Sequence, residues 1–154
     1  SLQIYDKKLK SANYYYFCGR KTLIFFAMQP FTIILDSSFA ELWRYNIVAM
    51  CSVISDGEEL EFLKHSSEVA PVGAELREIP RGYNANRRME ITTAAATNLT
   101  LYIYVMPHTL PMTTNVADAQ PFEMELTITH GAEQILRRRV EVNQWSGENI
   151  EISL

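Results

Sequence analysis

The chain contains few of the residue patterns that carry protein chemistry. Its two cysteines, Cys18 and Cys51, have no C-x-x-C spacing, and its three histidines, His65, His108 and His130, are far apart in the sequence. These absences exclude the common zinc and thiol-redox motifs, and we expect the histidines to lie at the surface or at strand ends. No G-x-S-x-G turn and no glycine-rich phosphate loop occurs. We therefore expect no catalytic residue, no metal site and no cofactor, and we interpret the protein as a non-enzyme.

Long hydrophobic runs and a positive net charge are also missing. The longest apolar stretch, Leu23–Met28, is far shorter than the roughly 20 residues that span a bilayer, so we expect no membrane span. The net charge of −4 gives no summed positive field for a phosphate backbone, so we expect no nucleic-acid partner.

The chain begins at Ser1 without an initiator Met or a signal peptide. We expect a matured product, or a protein from which a targeting segment has been removed.

What the chain does have is a regular alternation of apolar and polar residues over its last third, Asn98–Leu154. Successive side chains of a strand point to opposite faces, so this period of two indicates strands with one buried face. In the segment that starts at Phe122, even-numbered residues are apolar and odd-numbered residues are Glu or Thr. After Gly131 the pattern resumes with Leu136, Val140 and Val142, which predicts a hairpin.

The register of this hairpin follows from the loop length that sets apolar residues opposite one another. A three-residue loop, Gly131–Glu133, pairs Ile128 with Leu136 and Met124 with Val140, whereas a two-residue loop would set apolar residues against arginines. We therefore predict the three-residue loop. Arg138 then falls on the core side opposite Leu126, and we expect it at a sheet edge or a bulge.

Further strands are predicted upstream, with turn signals between them. Asp56-Gly57 is a hairpin signal, and Ser38 and Glu41 have the spacing of a capping box for one helical turn over Ser38–Trp43. The predicted fold is all-β, an antiparallel β-sandwich of the transthyretin or immunoglobulin type with at most one short helix, forming one domain over residues 1–154. The other strand candidates are Tyr14–Cys18, Leu23–Met28, Phe31–Leu35, Tyr45–Ile54, Leu60–Leu63 and Arg88–Thr93.

The two cysteines each lie in an apolar strand candidate, which leaves two interpretations. Cys18 and Cys51 are either buried free thiols or a disulfide, and a disulfide requires an oxidising compartment.

The arginine groups near residues 81–88 and 137–139 also have two possible interpretations. They are either solvated strand faces beside acidic residues, or contacts to a partner or an anionic glycan.

Two aromatic and polar segments are candidates for ligand binding. Tyr14, Tyr15 and Tyr16 are consecutive, so at least one ring faces outward from a strand and could stack on a sugar. The loop Arg81-Gly82-Tyr83-Asn84-Ala85-Asn86 combines a tyrosine with amides and an arginine, a mixture that binds hydroxyl-rich ligands. The alternative for this loop is an ordinary Gly/Asn turn. The candidate ligand residues are Tyr14, Tyr15, Tyr16, Arg81, Tyr83, Asn84 and Asn86.

The order of motifs in the last third resembles the closing part of fimbrillin-like proteins. In those proteins a Pro-x-Thr-Leu turn, here Pro107-His108-Thr109-Leu110, precedes a hairpin. A Trp followed shortly by Gly, here Trp145-Ser146-Gly147, introduces a final Ile-x-Ile-x-Leu strand. Phe39-Ala40-Glu41-Leu42 and Pro80–Asn84 also resemble segments of these domains.

The resemblance implies a non-enzymatic fimbrial or adhesion subunit on the outer surface of a Gram-negative bacterium. Such subunits are exported as lipoproteins and bind other subunits, or copies of themselves, by strand exchange at sheet edges. They usually carry two sandwich domains and a lipid-bearing cysteine, so this chain would correspond to a C-terminal domain or to an atypical member. An extracellular carbohydrate-binding sandwich is the alternative, and a hydrolase of unrecognised type is a third hypothesis.

Overall fold

A computed structural model of the protein describes residues 28–83 and 88–154, which form eight strands and two short 3-10 turns. Every strand is antiparallel to its neighbours, and no α-helix occurs in these two ranges. The strands are β1 (Gln29–Asp36), β2 (Tyr45–Ser55), β3 (Glu58–Ser67), β4 (Arg88–Ala96), β5 (Asn98–Pro107), β6 (Phe122–His130), β7 (Glu133–Val142) and β8 (Glu148–Ser153). The predicted strands Tyr14–Cys18 and Leu23–Met28, apart from Met28, lie outside the described residues.

The strands form two four-stranded sheets that pack face to face, which confirms the predicted all-β sandwich. Sheet A has the order β4-β1-β6-β7, and sheet B has the order β3-β2-β5-β8. The space between the sheets is filled by alternate residues of the strands, as the period of two requires. Among the most deeply buried of these are Phe31, Ile33, Leu35, Ala49, Val53, Leu99, Leu101, Ile103, Met124, Leu126, Ile128 and Val142.

The β6–β7 hairpin has the predicted register but a different turn. Ile128 pairs with Leu136 and Met124 with Val140, as expected. The turn itself has two residues, Gly131 and Ala132, because His130 pairs with Glu133 and the ladder then shifts by one residue. The three-residue loop was therefore wrong: the extra residue lies in a β-bulge of β7 next to the turn, which preserves the same register beyond it.

The upstream turn predictions had different outcomes. Asp56 and Gly57 both have positive φ, 53° and 79°, which confirms the tight hairpin between β2 and β3. The predicted capping box is wrong, since the helical turn is a 3-10 turn at Leu42–Arg44 that begins after Glu41 without a side-chain cap bond. Glu41 binds Arg44 instead, at 2.7 Å. Leu42 and Trp43 are nevertheless buried, as expected for a turn that crosses the end of the sandwich.

The two ends of the sandwich differ in the length of their connections. At one end, the turn end, lie the short connections Asp56-Gly57, Thr97 and Gly131-Ala132. At the other, the loop end, lie residues 37–44, 68–83, 108–121 and 143–147. The described part of the sequence-predicted loop, Arg81–Tyr83, belongs to the loop end, and this end holds the candidate site.

Candidate binding cavity at the loop end

A cavity of about 460 Å³ opens between the two sheets at the loop end, on the side where β3 lies over β4. We call it the side cavity. Both sheets and the connection between β3 and β4 contribute to its wall. It is lined by Leu35, Leu42, Tyr45, Ile47, His65, Ser66, Ser67, Glu68, Val69, Pro80, Arg81, Gly82, Tyr83, Arg88, Met89 and Met124. A volume of this size is within the range of small-molecule sites, about 300 to 1,000 Å³.

The side cavity exists because the edge strands β3 and β4 are joined over only part of their length. Toward the turn end, the backbone N–H of Ala94 in β4 donates to the Glu61 carboxylate of β3, at 2.6 Å. Toward the loop end, His65–Ser67 of β3 and Arg88–Met89 of β4 form opposite walls of the cavity. The gap between β3 and β4 is thus bridged near the turn end and open near the loop end.

The lining changes from apolar to polar between the floor and the rim. The floor consists of core side chains from both sheets, among them Leu35, Ile47 and Met124, all of which are buried. The rim carries hydroxyl groups and charges from exposed residues, namely His65, Ser66, Ser67, Glu68, Arg81 and Arg88. Such a site can hold a ligand by a few directed polar contacts above an apolar surface.

Two of the sequence-predicted ligand residues meet at this rim. Arg81 is exposed and Tyr83 is half-buried, and both line the side cavity. A tight turn positions them: the Tyr83 backbone N–H donates to the Pro80 carbonyl at 3.1 Å, and Gly82 has a φ of +80° that a residue with a side chain rarely adopts. Residues 80–83 therefore form a tight turn and also part of the cavity wall. Tyr14, Tyr15, Tyr16, Asn84 and Asn86 lie outside the described residues.

Sequence reasoning did not identify the other half of the rim. His65, Ser66 and Ser67 end β3, Glu68 directly follows it, and Arg88 begins β4. The polar run at residues 64–68, where apolar alternation stops, was a usable signal that this stretch leaves the core. Nothing in the local sequence, however, places it beside residue 81.

Next to the floor lies a buried polar cluster centred on Arg44, which is 1% exposed. Arg44 Nη2 donates to the Gln144 side-chain oxygen at 2.6 Å and pairs with Glu41 at 2.7 Å. Its guanidinium carbon lies 5.9 Å and 5.8 Å from the ring centres of Phe39 and Tyr45. Among the described residues, Arg44 Nε and Nη1 have no hydrogen-bond partner. The cluster ties the 3-10 turn to the β7–β8 connection.

Tyr45 links this cluster to the side cavity. Its ring lines the cavity, while its hydroxyl donates to the Gln144 carbonyl at 3.0 Å. Burial raises the pKa of Tyr45 to about 12, an effect that the positive charge of Arg44 partly opposes. The hydroxyl therefore stays protonated and serves as a structural donor, not as a base.

His108 belongs to the same cluster; it directly follows the end of β5, as expected for a strand-end histidine, but it is buried and not at the surface. It is 1% exposed, and its Nε2 lies 2.8 Å from the Trp43 carbonyl, while its Nδ1 lies 2.9 Å from Thr109 Oγ1. Burial lowers the pKa of His108, and the nearby charge of Arg44 acts in the same direction against the Trp43 hydrogen bond. His65 is exposed, and His130 ends β6 with its ring stacked on Phe31.

The remaining chemistry-bearing residues do not converge on a reactive centre. In residues 28–83 and 88–154, no group of three or more His, Cys, Asp or Glu side chains could hold a metal ion. Cys51 is a buried free thiol in β2, and burial raises its pKa, whereas Cys18 lies outside the described residues. No helix in the described part of the chain is long and apolar enough to cross a membrane.

Comparisons with known proteins identify no family. No protein-family model matches the chain, and no curated protein matches it. Among solved structures, the chain is similar to a domain of unknown function, DUF4425, from Bacteroides vulgatus, with a TM-score of 0.49 and 11% identity. That match covers 82% of this chain and 94% of the other. A similarity of this size carries no inference about function, so the functional proposal depends on the side cavity and the sheet edges.

Proposed function

We propose that the chain is a non-enzymatic binding module that holds a hydroxyl-rich ligand, of the carbohydrate class, in the side cavity. The observation that carries the proposal is the position of Arg81 and Tyr83. Both were selected from the sequence as ligand residues, and both line one concave site of suitable volume. A second cavity of about 750 Å³, lined among others by Val72, Leu110 and Met112, has a more apolar lining and contains none of the ligand residues selected from the sequence.

The chemistry of the rim suits a sugar. A guanidinium offers a planar set of donors to hydroxyl or carboxylate oxygens, and the serine hydroxyls at 66 and 67 can donate or accept. The tyrosine ring supplies a flat apolar surface for the C–H face of a sugar ring, while its hydroxyl remains a polar contact. The guanidinium groups of Arg81 and Arg88 outnumber the single carboxylate of Glu68 among the lining residues, and Arg88 also pairs with Glu90 at 3.2 Å. This balance favours an acidic sugar over a neutral one.

The proposal is tested by titrating the protein with neutral and acidic oligosaccharides that a glycan array selects. Replacing either Arg81 or Tyr83 with Ala should weaken binding at least about tenfold, the effect of losing one charged hydrogen bond or one aromatic contact. The matched controls are Arg77→Ala, an exposed arginine of the same connection outside the cavity, and Tyr102→Ala on β5. Both controls should bind with the affinity of the unaltered protein.

Two results would contradict the proposal. One is an array on which neither neutral nor acidic glycans bind at millimolar concentration. The other is a ligand whose affinity is unchanged by Arg81→Ala and by Tyr83→Ala, since that ligand would lie elsewhere on the molecule.

The second candidate function is a fimbrial or adhesion-type structural subunit that assembles through its sheet edges at the outer surface of a Gram-negative bacterium. It is favoured by β7, a ten-residue strand at the end of sheet A that pairs only with β6 among the described strands. An unpaired strand edge can accept a strand from another molecule through backbone hydrogen bonds. Sedimentation at increasing protein concentration tests this candidate, and a strictly monomeric protein at high concentration contradicts it.

A further inference from the structure

The second cavity lies at the loop end, where the β3–β4, β5–β6 and β7–β8 connections meet. Its volume is about 750 Å³, which is within the range of small-molecule sites. Two motifs that stand out in the sequence, Pro107–Leu110 and Trp145, form part of its wall. Neither motif lines the side cavity, so the proposed function leaves both without a role.

Hydrogen bonds between two connections form the base of the second cavity. The backbone N–H groups of Gly73 and Ala74 both donate to the His108 carbonyl at 3.0 Å. The Leu76 backbone N–H donates to Thr109 Oγ1 at 3.1 Å. His108 and Thr109 are buried, so these bonds fix the β3–β4 connection against the core of the sandwich. The cavity is therefore formed by the fold itself and needs no ligand to assemble.

The polar side chains at this base are already paired. His108 Nε2 lies 2.8 Å from the Trp43 carbonyl, and a carbonyl only accepts, so Nε2 carries the hydrogen. Nδ1 of the neutral ring then accepts from Thr109 Oγ1 at 2.9 Å, and the same hydroxyl oxygen accepts the Leu76 N–H. A ligand that enters the cavity finds no free side-chain partner on His108 or Thr109, which favours hydrocarbon at the base.

Exposed apolar side chains surround the mouth of the second cavity. Val72, Leu110 and Met112 are 73%, 54% and 67% exposed, and all three line it. A hydrophobic ligand that covers these side chains removes their surface from water, which favours binding. The flexible methionine can adapt its shape to such a ligand.

The remaining polar groups of the lining define the other end of the ligand. Trp145 lines the cavity, and its buried Nε1–H has no hydrogen-bond partner in the described part of the chain. Arg77 and Glu75 are exposed residues of the lining with opposite charges, so they sum to zero. The lining therefore has one unpaired neutral donor and no net charge to attract an ion.

We propose that the second cavity binds an uncharged hydrophobic molecule with one hydrogen-bond-accepting oxygen, of the class of medium-chain ketones and esters. The hydrocarbon part covers Val72, Leu110 and Met112, and the oxygen accepts the indole N–H of Trp145. This inference goes beyond the proposed function and does not depend on it, because no residue lines both cavities.

The test measures binding of decan-2-one to the full chain by equilibrium dialysis, below the solubility limit of the ketone. Affinity should rise about two- to fourfold for each CH₂ added between octan-2-one and decan-2-one, since each buried CH₂ adds to the transfer free energy. Decanoate and decylammonium have the same chain length and a charged end. Both should bind at least about tenfold more weakly, because the lining has no net opposite charge to offset desolvation.

A double substitution at the mouth tests the location of the ligand. Leu110→Ser/Met112→Ser should weaken binding of decan-2-one at least about tenfold, because it removes apolar surface from the cavity lining. The matched control is Leu60→Ser/Phe62→Ser on β3, where the side chains are 46% and 56% exposed but lie outside the cavity. The control should bind like the unaltered protein. Circular dichroism and urea denaturation establish that both variants are folded.

Trp145→Phe tests the acceptor oxygen. It keeps an aromatic ring at the cavity and removes the N–H, so the affinity for decan-2-one should fall about two- to tenfold, the effect of one neutral hydrogen bond. Arg81→Ala, in the side cavity, should leave ketone binding unchanged. Leu110→Ser/Met112→Ser should likewise leave any glycan binding unchanged, so the two proposals can fail separately.

Four results would overturn the inference. Two concern the site: no ketone binds up to its solubility limit, or Leu110→Ser/Met112→Ser binds decan-2-one as tightly as the unaltered protein. Two concern the ligand class: decanoate binds more tightly than the ketone and loses that advantage in Arg77→Ala, or Trp145→Phe leaves the ketone affinity unchanged. The first of these would identify an anion site, and the second would remove the oxygen from the assignment.

Discussion

The connections at the turn end and at the loop end of this sandwich both join antiparallel strands, but different interactions hold them in place. At the turn end, one- or two-residue connections are fixed by their own backbone geometry, as in Asp56-Gly57. At the loop end, long connections are held by buried polar side chains such as Arg44 and His108, whose partners are distant in sequence. The difference indicates that the loop end is where single substitutions can do most damage, and it is also where a cavity can form.

The largest effect that separates the two ends is expected at Gly147, in the β7–β8 connection. Its φ is +74°, and a Cβ added there would lie 1.9 Å from the Val105 carbonyl oxygen. Gly147→Ala should therefore reduce the free energy of unfolding by more than about 3 kcal/mol, because a backbone atom must move. Urea denaturation measures the loss.

Gly57→Ala at the turn end is the matched control. Gly57 has a similar φ of +79°, but an added Cβ there meets nothing within 4 Å. The cost should be about 1 to 2 kcal/mol, which is the strain of a left-handed residue alone. Equal losses at the two glycines would show that close packing does not distinguish the loop end.

The next largest effect is expected at Arg44. Arg44→Met keeps most of the side-chain volume but removes the donor to the buried Gln144 side chain and the contacts with Phe39 and Tyr45. A buried acceptor without a partner costs about 1 to 3 kcal/mol, so we expect the free energy of unfolding to fall by about 2 kcal/mol. Urea denaturation again provides the measurement.

Glu41→Gln tests which partner of Arg44 matters. The Glu41 side chain is 50% exposed, so water can replace its contact with the guanidinium. The loss should stay below about 1 kcal/mol, the usual range for an exposed ion pair. A larger loss from Glu41→Gln than from Arg44→Met would mean that the ion pair, not the buried hydrogen bond, stabilises the loop end.

His108 gives the loop end a dependence on pH. Its folded-state pKa lies below the ordinary value of about 6.5, so near and below that pH the unfolded chain binds more protons than the folded protein. The stability that neutral His108 contributes is therefore present above about pH 6.5 and is lost as the pH falls through the folded-state value. We expect the urea midpoint to drop between pH 7 and pH 5.

Two substitutions isolate this contribution. His108→Gln should flatten the pH dependence, although it also lowers stability at pH 7 by removing the contact with the Trp43 carbonyl. His65→Gln, at an exposed residue on the cavity rim, should leave the pH profile unchanged. A profile that flattens with His65→Gln but not with His108→Gln would contradict the assignment.

The contrast between the turn end and the loop end also explains which features of the fold could be predicted from the sequence. Alternation in β6 and β7 predicted the hairpin register, because burying one face depends only on parity. Parity could not tell a three-residue turn from a two-residue turn plus a bulge, since both shift the strand by the same amount. The loop length was therefore predicted incorrectly while the register was correct.

At the loop end, the local sequence was enough to identify only part of the cavity rim. Arg81 and Tyr83 were selected because a tyrosine flanked by arginine and amide side chains can bind hydroxyl-rich ligands. His65 and Arg88 did not, because only the pairing of β3 with β2 and of β4 with β1 brings them to the same cavity. The burial of Arg44 and His108 was likewise invisible, since their partners Gln144 and Trp43 are distant in sequence.

The smallest effect is expected at the turn end, where Asp56 adopts a φ of 53°. Asn is favoured at this position of a type I′ turn, so Asp56→Asn should raise the free energy of unfolding by up to about 0.5 kcal/mol. Asp118→Asn in the loop-end connection 108–121 makes the same chemical change where Asp118 accepts a bond from Thr113 Oγ1, at 3.2 Å, and should give no gain. Thermal unfolding of both proteins at one pH and salt concentration measures the difference. If both substitutions raise the midpoint equally, the gain comes from reducing the net charge of −4 and not from the backbone of the turn.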